Sequence, residues 1–200
     1  LGSGQAATFE LEKRFELADG TQKGVDWDGA ANVGLKGNNW GAVRLGRVNE
    51  LSTETIRKFD PFYQYGVAGM IDSSQRSARI SNTVRYDSLN WSGFHFGASY
   101  SLGENTKNVN NTLTQTGADN DGYAIMLGYD NGPLALVGNW SRLADSNKSS
   151  VWNLGAAYKF GPARVSLAYQ QTKDKGWKLG EQQDYANATE KDWLLGLEWT

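Results

Sequence analysis

Residues 152–170 read WNLGAAYKFGPARVSLAYQ, and two alternating patterns meet there at Gly161–Pro162. Before the turn, large apolar side chains occupy every second position, and small or polar side chains lie between them. After the turn, the residues from Arg164 to Gln170 repeat the arrangement. Successive side chains of a β-strand point to opposite faces. The stretch therefore predicts an antiparallel hairpin with one apolar face and one small or polar face.

The same pattern recurs along the chain and predicts an all-β protein of about ten strands. Beyond 152–160 and 164–170, the predicted strands lie near 6–17, 29–37, 40–49, 79–88, 94–102, 123–129, 134–142 and 193–199. No shift in composition divides the 200 residues, so a single domain over 1–200 is expected.

Short and long connections alternate strictly between these strands. The tight turns are Gly37–Trp40, Leu89–Ser92, Asn131–Pro133 and Gly161–Pro162. The long connections cover about 18–28, 50–78, 103–121, 143–150 and 173–190. Since an antiparallel chain reverses at every turn, all short turns lie at one rim of the sheet and all long loops at the other. This rotation is typical of a transmembrane β-barrel with short periplasmic turns and long extracellular loops.

Aromatic residues mark the ends of the apolar faces, as Phe94 and Tyr100 or Trp193 and Trp199 do on their strands. Aromatic rings favour both interfaces of a bilayer. The opposite face, with residues such as Ser99, is too polar for a packed core and suits a water-filled lumen. A soluble β-sandwich is the alternative, but aliphatic side chains would dominate its inward face. The pattern therefore predicts an antiparallel transmembrane β-barrel.

Composition excludes several other classes of protein. The chain has no cysteine, which removes disulfide scaffolds, cysteine-based metal sites and thiol nucleophiles. Its formal net charge of -2 argues against nucleic acid as a partner. Mean hydropathy is -0.57, and no apolar run approaches the length of a transmembrane helix. A membrane barrel is compatible with that value, because its lipid-facing and lumen-facing residues alternate.

The connection over 50–78 is the longest of the chain, and loops of that length are usually functional. It carries the carboxylates Glu50, Glu54, Asp60 and Asp72. The strands on either side of it carry the arginines Arg44, Arg47, Arg79 and Arg85. If the loop folds inward, these opposed charges form a pore constriction whose transverse field tunes ion selectivity. A solvated extracellular loop beside an ordinary polar strand face is the alternative.

Three stretches of the chain resemble the Gram-negative general porins, in particular the β-proteobacterial type of Neisseria, Comamonas, Bordetella and Burkholderia. They are LGSGQAATFELEKRFEL at 1–17, NVGLKGNNWGAVRLGRVNE at 32–50 and ARISNTVRYDSLNWSGFHFGASYS at 78–101. The resemblance implies a homotrimer of barrels with roughly sixteen strands each, set in outer-membrane lipid. It also implies that 50–78 is the third extracellular loop, folded inside, and that Arg47, Arg79 and Arg85 line the constriction.

Two positions break the alternation. Counting from Val43 and Leu45 places Arg47 on the apolar face, so its position at the pore requires a bulge or a bend. Lys13 also falls on an apolar face, which predicts a rim position or a subunit contact. If 50–78 is the third loop, the chain covers about the third to the twelfth strand. We therefore expect it to be the central part of a longer porin.

No arrangement of residues predicts an enzyme. His95, the only histidine, lies on the polar face of a strand, and Ser99 on that face is roughly 13 Å away along the strand. The short acidic cluster at 119–121 is weak grounds for a calcium site. Neither a metal nor a cofactor is predicted.

The predicted function is that of a general diffusion porin in the Gram-negative outer membrane. Small hydrophilic solutes and ions would cross it passively, with a weak anion preference because the arginines are fixed on the wall. The alternative is a non-channel outer-membrane barrel that acts as an adhesin or envelope anchor, which the long Asn- and Thr-rich loop around 104–118 favours. Whether 50–78 lies inside the barrel distinguishes the two hypotheses.

Overall fold

The computed structural model describes residues 2–22, 24, 26–27, 29–64, 79–103, 106–109, 112–115, 121–142, 149–174 and 188–199. The strands are β1 (Gln5–Leu11), β2 (Ala31–Gly37), β3 (Gly41–Asn49), β4 (Arg79–Asp87), β5 (Phe94–Ser101), β6 (Thr106–Val109), β7 (Thr112–Gln115), β8 (Gly122–Asn131), β9 (Leu134–Arg142), β10 (Ser150–Phe160), β11 (Ala163–Asp174) and β12 (Ala188–Trp199). Between β3 and β4 lie the helix α1 (Leu51–Ile56) and a 3-10 turn, Arg57–Phe59. None of the helices in the described ranges has the length and apolarity that crossing a membrane requires.

Ten strands pair in a single antiparallel sheet in the order β1-β2-β3-β4-β5-β8-β9-β10-β11-β12, and β6 and β7 form a hairpin of their own. Apart from that hairpin, each strand pairs with the strand that follows it in the chain, as in the wall of an up-and-down barrel. The predicted all-β fold is confirmed. The short turns are also present, for example at Gly161–Pro162 between β10 and β11.

The first strand is shorter than predicted. The alternation predicted a strand to residue 17, but β1 ends at Leu11, and Phe15 pairs only with Gln22 in an isolated bridge. Lys13 lies beyond the strand, and its Nζ is 2.7 Å from Asp26 Oδ1. Lys13 thus pairs with a residue of the next loop instead of extending the sheet. Lys13 lies at the rim, which is one of the two positions predicted for it.

The two faces of the main sheet differ in chemistry. We call the face that α1 covers the inner face and its opposite the outer face. On the outer face of β12, Trp193 is 71% exposed and Leu195 is 79% exposed. On the inner face of β10 and β11, the polar residues Asn153 and Gln170 are 0% exposed. An exposed apolar face and a sheltered polar face are the reverse of a soluble β-sandwich and fit a membrane barrel.

Aromatic side chains on the outer face gather near both rims of the sheet. Toward the long loops, the ring of Tyr169 contacts Trp152 and Trp193, with centroids 4.9 Å and 4.5 Å apart. Toward the short turns, Phe94 contacts Tyr129 with centroids 4.7 Å apart. Aromatic rings at both edges of an apolar band are typical of a barrel that crosses a bilayer.

Apolar residues of α1 and the 3-10 turn anchor the loop to the inner face. Leu51 and Ile56 are 1% exposed, and Phe59 is 3% exposed. They form one cluster with wall residues of β8 to β11, namely Ala124, Met126, Val137, Ala157 and Ala168. Burial of these side chains removes apolar surface from water, so it holds the beginning of the 50–78 connection against the wall.

Glycines on the wall permit this close approach. A Cβ at Gly155 would lie 2.7–2.9 Å from atoms of the Phe59 ring, and a Cβ at Gly97 would lie 3.0 Å from Leu51 Cδ1. A side chain at Gly155 would therefore displace the ring from the wall. Both glycines lie on the small or polar face that the sequence predicted for a water-filled lumen, and the loop occupies the space above them.

Glu50 fixes the beginning of α1. Its carboxylate accepts hydrogen bonds from the backbone N–H groups of Ser52 and Thr53 at 3.1 Å and 2.7 Å, which makes it the helix N-cap. It also accepts a hydrogen bond from the Ser141 hydroxyl on β9. The same side chain thus accepts hydrogen bonds from two N–H groups that have no partner within the helix, and it ties the helix to the wall.

Replacing Phe59 by alanine should loosen the loop from the wall. Truncation of a buried phenylalanine costs about 3–5 kcal/mol, and here that cost falls on loop docking. We expect the α1 amides to exchange hydrogen on the order of a hundredfold faster, measured by exchange mass spectrometry on the folded protein. Phe62→Ala is the matched control, since Phe62 lies in the same loop and is 74% exposed. Equal loss of protection in both variants would contradict the anchoring role of Phe59.

Candidate functional site

Charged side chains of β4 and α1 meet on the inner face. Arg85 is 2% exposed although its guanidinium is permanently charged. It donates hydrogen bonds to Glu54 Oε2 at 2.7 Å and to Asp87 Oδ1 at 2.7 Å. It also donates to the backbone carbonyl of Asn49 at 3.1 Å. Because a buried charge requires partners, the carboxylates of the loop and the wall together make this position of Arg85 possible.

Arg44 extends this group of charges to the neighbouring strand. It is opposite Arg85 in the β3–β4 register, and its Nη2 donates to Asp87 Oδ2 at 2.8 Å. The same nitrogen lies 3.9 Å from Glu54 Oε1. We call this network the wall cluster; its members are Arg44, Glu54, Arg85 and Asp87. Like charges on adjacent strands repel, and the two carboxylates offset that repulsion.

The structure thus brings together Arg44, Arg85 and Glu54, which the sequence predicted for the constriction. It adds Asp87, which the sequence analysis missed. The signal for Asp87 lay in the alternation, because it follows Arg85 by two positions and shares its strand face. A carboxylate that lies two positions from a predicted wall arginine should therefore be predicted as its ionic partner.

Arg47 lies at an irregularity in β3, as its predicted position at the pore required. The β3–β4 register shifts between Gly46 and Val48, and Gly46 has a φ of 127°, a backbone conformation that favours glycine. The Arg47 guanidinium donates to the Gly29 carbonyl at 3.1 Å and to Ser81 Oγ at 3.0 Å. The bulge thus turns Arg47 toward β4.

Arg79 forms a separate ionic contact near the long-loop rim. Its Nη2 is 2.8 Å from Glu12 Oε2, and Arg14 Nη2 is 3.0 Å from the other oxygen of that carboxylate. Partial burial acts to raise the pKa of Glu12, but the hydrogen bonds from Ala30 and Arg14 and the charges of Arg79 and Arg14 outweigh it. The pKa of Glu12 is therefore lower than that of an ordinary glutamate. Glu12 therefore stays ionised into acid solution and keeps its arginine partners.

The other predicted loop carboxylates have structural roles or lie elsewhere. Glu50, which is 3% exposed, caps α1, and Asp60 is 5% exposed. Asp60 accepts hydrogen bonds from backbone N–H groups two and four positions on, at 2.9 Å and 3.1 Å, and so stabilises the turn after Phe59. Asp72 lies outside the described residues, as does most of the acidic cluster at 119–121.

A cavity of about 490 Å³ lies between the 3-10 turn and the short-turn ends of the wall strands. Arg164 and Glu198 form an ion pair at its edge, and Arg164 Nη2 donates to the Lys58 carbonyl at 2.8 Å. On another side, His95 Nε2 is 3.4 Å from Asp130 Oδ2. The lining thus combines charges of both signs with apolar residues such as Phe59 and Val137.

Replacing Arg85 by methionine should destabilise the protein strongly. The change removes the cation that Glu54 and Asp87 share, and breaking a buried ionic network costs about 3–5 kcal/mol. We expect that loss in the free energy of unfolding, measured by urea titration of the protein folded in lipid vesicles. Arg14→Met is the control, with an expected loss below about 1 kcal/mol, because its ion pair is exposed. If the free energy of unfolding falls no more in Arg85→Met than in Arg14→Met, the ionic network does not contribute as described.

Comparisons with known proteins agree on one family. The profile of the Gram-negative porin family matches residues 1–200. An outer membrane porin protein of Bordetella pertussis is 33% identical over 199 residues, covering 90% of this chain and 51% of the relative. Outer membrane porin protein 32 of Delftia acidovorans is 31% identical over 193 residues, covering 88% and 52%. The chain spans about half the length of these curated relatives.

A solved structure shares the fold. The anion-selective porin from Comamonas acidovorans aligns with a TM-score of 0.72 and 27% sequence identity, over 98% of this chain and 60% of that one. Porins cross the outer membrane as antiparallel barrels with an apolar outer band, which is the surface that the ten-stranded sheet presents. The chain therefore belongs to the Gram-negative porin family and forms part of a transmembrane β-barrel of the outer membrane.

Proposed function

We propose that the full-length protein is a general diffusion channel for small hydrophilic solutes and ions. The observation that carries this proposal is the position of the segment 50–61, which packs on the inner face and directs Glu54 at Arg44 and Arg85. A loop on the inner wall of a barrel narrows the water-filled space, so size and charge limit passage. In this proposal the connection 50–78 is the constriction loop, and the wall cluster is one side of the opening.

In this proposal, the charges at the constriction give a weak preference for anions. The wall strands hold four arginines: Arg44, Arg47, Arg79 and Arg85. On the loop side, Glu50 and Asp60 are buried and occupied with capping a helix and a turn. Because Glu54, Asp87 and Glu12 pair with Arg85, Arg44 and Arg79, the arginines are largely neutralised, and the anion preference expected from this proposal is weak. The relative from Comamonas acidovorans, an anion-selective porin, supports the same sign.

The alternative is a non-channel barrel that serves as an adhesin or an anchor. In such a protein, the packing of the segment 50–61 on the inner face would have no role. An adhesive loop would extend from the rim, whereas Phe59 packs down on Gly155. The loop around 104–118 that favoured this alternative contains the hairpin of β6 and β7, and the rest of it lies outside the described residues. The packing of the loop supports the diffusion channel, and so do the relatives, which are outer membrane porin proteins.

Recording in planar bilayers tests the proposed channel. The purified full-length protein should give discrete conductance steps that increase with salt concentration, because ions cross through water. A folded and inserted protein that gives no step at any voltage would support the anchor instead.

Replacing Arg44 by glutamine should weaken the anion preference. A unit charge about 8 Å from an ion in water contributes about 0.5 kcal/mol, or roughly a twofold change in the anion-to-cation permeability ratio. The reversal potential in a salt gradient measures this ratio. The difference in reversal potential between the variant and the wild type should shrink at about 1 M salt, where the Debye length is about 3 Å. Arg14→Gln is the control, because Arg14 lies beyond the end of β1. An unchanged reversal potential in Arg44→Gln would show that Arg44 does not line the constriction.

We propose further that the full-length protein assembles as a homotrimer. The support is the resemblance to trimeric porins and the apolar outer surface of β1 and β2, where Phe9 is 77% exposed and Val33 is 59% exposed. Such a surface faces either lipid or another copy of the protein. Mass measurement in a mild detergent should give a trimer. A monomer in a detergent that preserves channel activity would contradict this assembly.

A further inference from the structure

The cavity beside the 3-10 turn carries charged groups of opposite sign at its two ends. At the β8 end lies Asp130, whose side chain is 51% exposed, with His95 Nε2 at 3.4 Å from its carboxylate. At the other end lie Arg164 on β11 and Lys58 of the 3-10 turn, and Glu198 forms an ion pair with Arg164. Two cations and one carboxylate give that end a net positive charge. The β8 end is negative whenever His95 is neutral.

Small wall residues separate the two charged ends. Asp130 is opposite Ala135 in the register of β8 and β9, and Ala135 is opposite Ala157 on β10. Ala157 is opposite Ser166 on β11, and Arg164 shares the face of Ser166 two positions closer to the turn. At about 4.8 Å per strand, three strand spacings place the backbones of Asp130 and Arg164 roughly 14 Å apart across the sheet. The two ends thus lie too far apart to neutralise each other.

The middle of the cavity is apolar. Its lining includes Phe59, Ala135 and Val137. The ring of Phe59 is fixed there because it packs down on Gly155, and Val137 is buried. A simple ion would use only one charged end and would gain nothing from this apolar section. Small-molecule sites combine an apolar lining with a few polar groups that set the orientation of the ligand, and this cavity has both.

A charged group at each end is open to a ligand. Lys58 is exposed, and within the described ranges its ammonium has no ion-pair partner, since Arg164 binds only its backbone carbonyl. In the same part of the chain, the Asp130 carboxylate has its one ionic contact with His95 and stays half exposed. A ligand can therefore add an ion pair at each end without breaking the ion pair of Arg164 with Glu198.

We propose that this cavity binds an elongated zwitterionic solute with an apolar middle, such as an ω-amino acid. The ammonium of the solute lies at Asp130 and its carboxylate at Lys58, while its methylene groups cover Phe59 and Val137. An α-amino acid carries both charges on one carbon and reaches only one end. Passage of such a solute along this wall rests on the proposed channel function, whereas the binding itself does not.

Titration by saturation-transfer NMR tests the proposal on the full-length protein in lipid nanodiscs, with empty nanodiscs as the blank. The probe is 8-aminooctanoate, which spans about 10 Å when extended. It should bind roughly threefold to fivefold more tightly than N-acetyl-8-aminooctanoate, which lacks the ammonium, because one exposed ion pair contributes little. The same ratio is expected against 8-aminooctanamide, which lacks the carboxylate. The short zwitterion 4-aminobutyrate, about 5 Å long, should bind no better than these derivatives.

Two substitutions assign the ends of the ligand. D130N should weaken binding of 8-aminooctanoate roughly threefold to fivefold and leave binding of its N-acetyl derivative unchanged, because that derivative has no ammonium to lose a partner. K58Q should weaken binding of 8-aminooctanoate equally and leave binding of 8-aminooctanamide unchanged. The matched controls are D19N and K36Q. They change exposed residues outside the cavity lining and should bind the probe like the wild type.

Equal affinity of the wild type for 8-aminooctanoate and its two derivatives would overturn the proposal, and this comparison needs no variant to fold. An equal loss of the probe and its N-acetyl derivative in D130N would also overturn it, since the effect of Asp130 would then be structural. Thermal melting followed by circular dichroism verifies that the variants fold. Conductance in planar bilayers separates the two proposals. A protein that conducts without preferring the probe refutes the site alone, and one that binds the probe without conducting refutes the channel alone.

Discussion

Packing of the segment 50–61 against glycine and alanine on the inner face is the contact on which the rest of the site depends. Phe59 approaches Gly155 so closely that a Cβ there would clash with its ring, and Leu51 lies nearly as close to Gly97. Because these wall positions carry little or no side chain, the loop lies low against the strands. A larger wall residue would push the loop away from the strands, and in the proposed channel the opening would change with it.

The docked loop sets the geometry of the charges. With α1 held on the wall, Glu54 projects back to β4 and closes the wall cluster with Arg85. Apolar contacts hold the segment at β8 to β11, and ionic contacts hold it at β3 and β4. The buried cation at the centre makes this network costly to break. In the proposed channel, a loop held on both sides would keep the size and charge of the opening constant, which suits passive diffusion.

The strands could be predicted because a two-residue alternation persists in them, and the exceptions have local causes. Lys13 turns to a loop partner where β1 ends, and the register shifts at Gly46. The partners of the loop carboxylates were harder to predict. Glu50 and Glu54 look alike in the sequence, yet one caps α1 and the other meets Arg85. Glutamate is not a preferred N-cap residue, so only the docked position of α1 separates the two roles.

A cross-link between loop and wall tests the docking most directly. Thr55 Oγ1 and Asn139 Oδ1 are 2.7 Å apart, and the chain has no cysteine that would compete. In the full-length protein with Thr55→Cys and Asn139→Cys, a short bis-maleimide, which adds one cysteine thiol to each of its two C=C bonds, should join the two residues nearly completely in the folded, membrane-inserted state. The control pairs Thr55→Cys with Asn32→Cys on β2 and should stay unlinked. If each cysteine reacts singly but the 55–139 pair links no more than the control, the loop does not lie on the inner face as described.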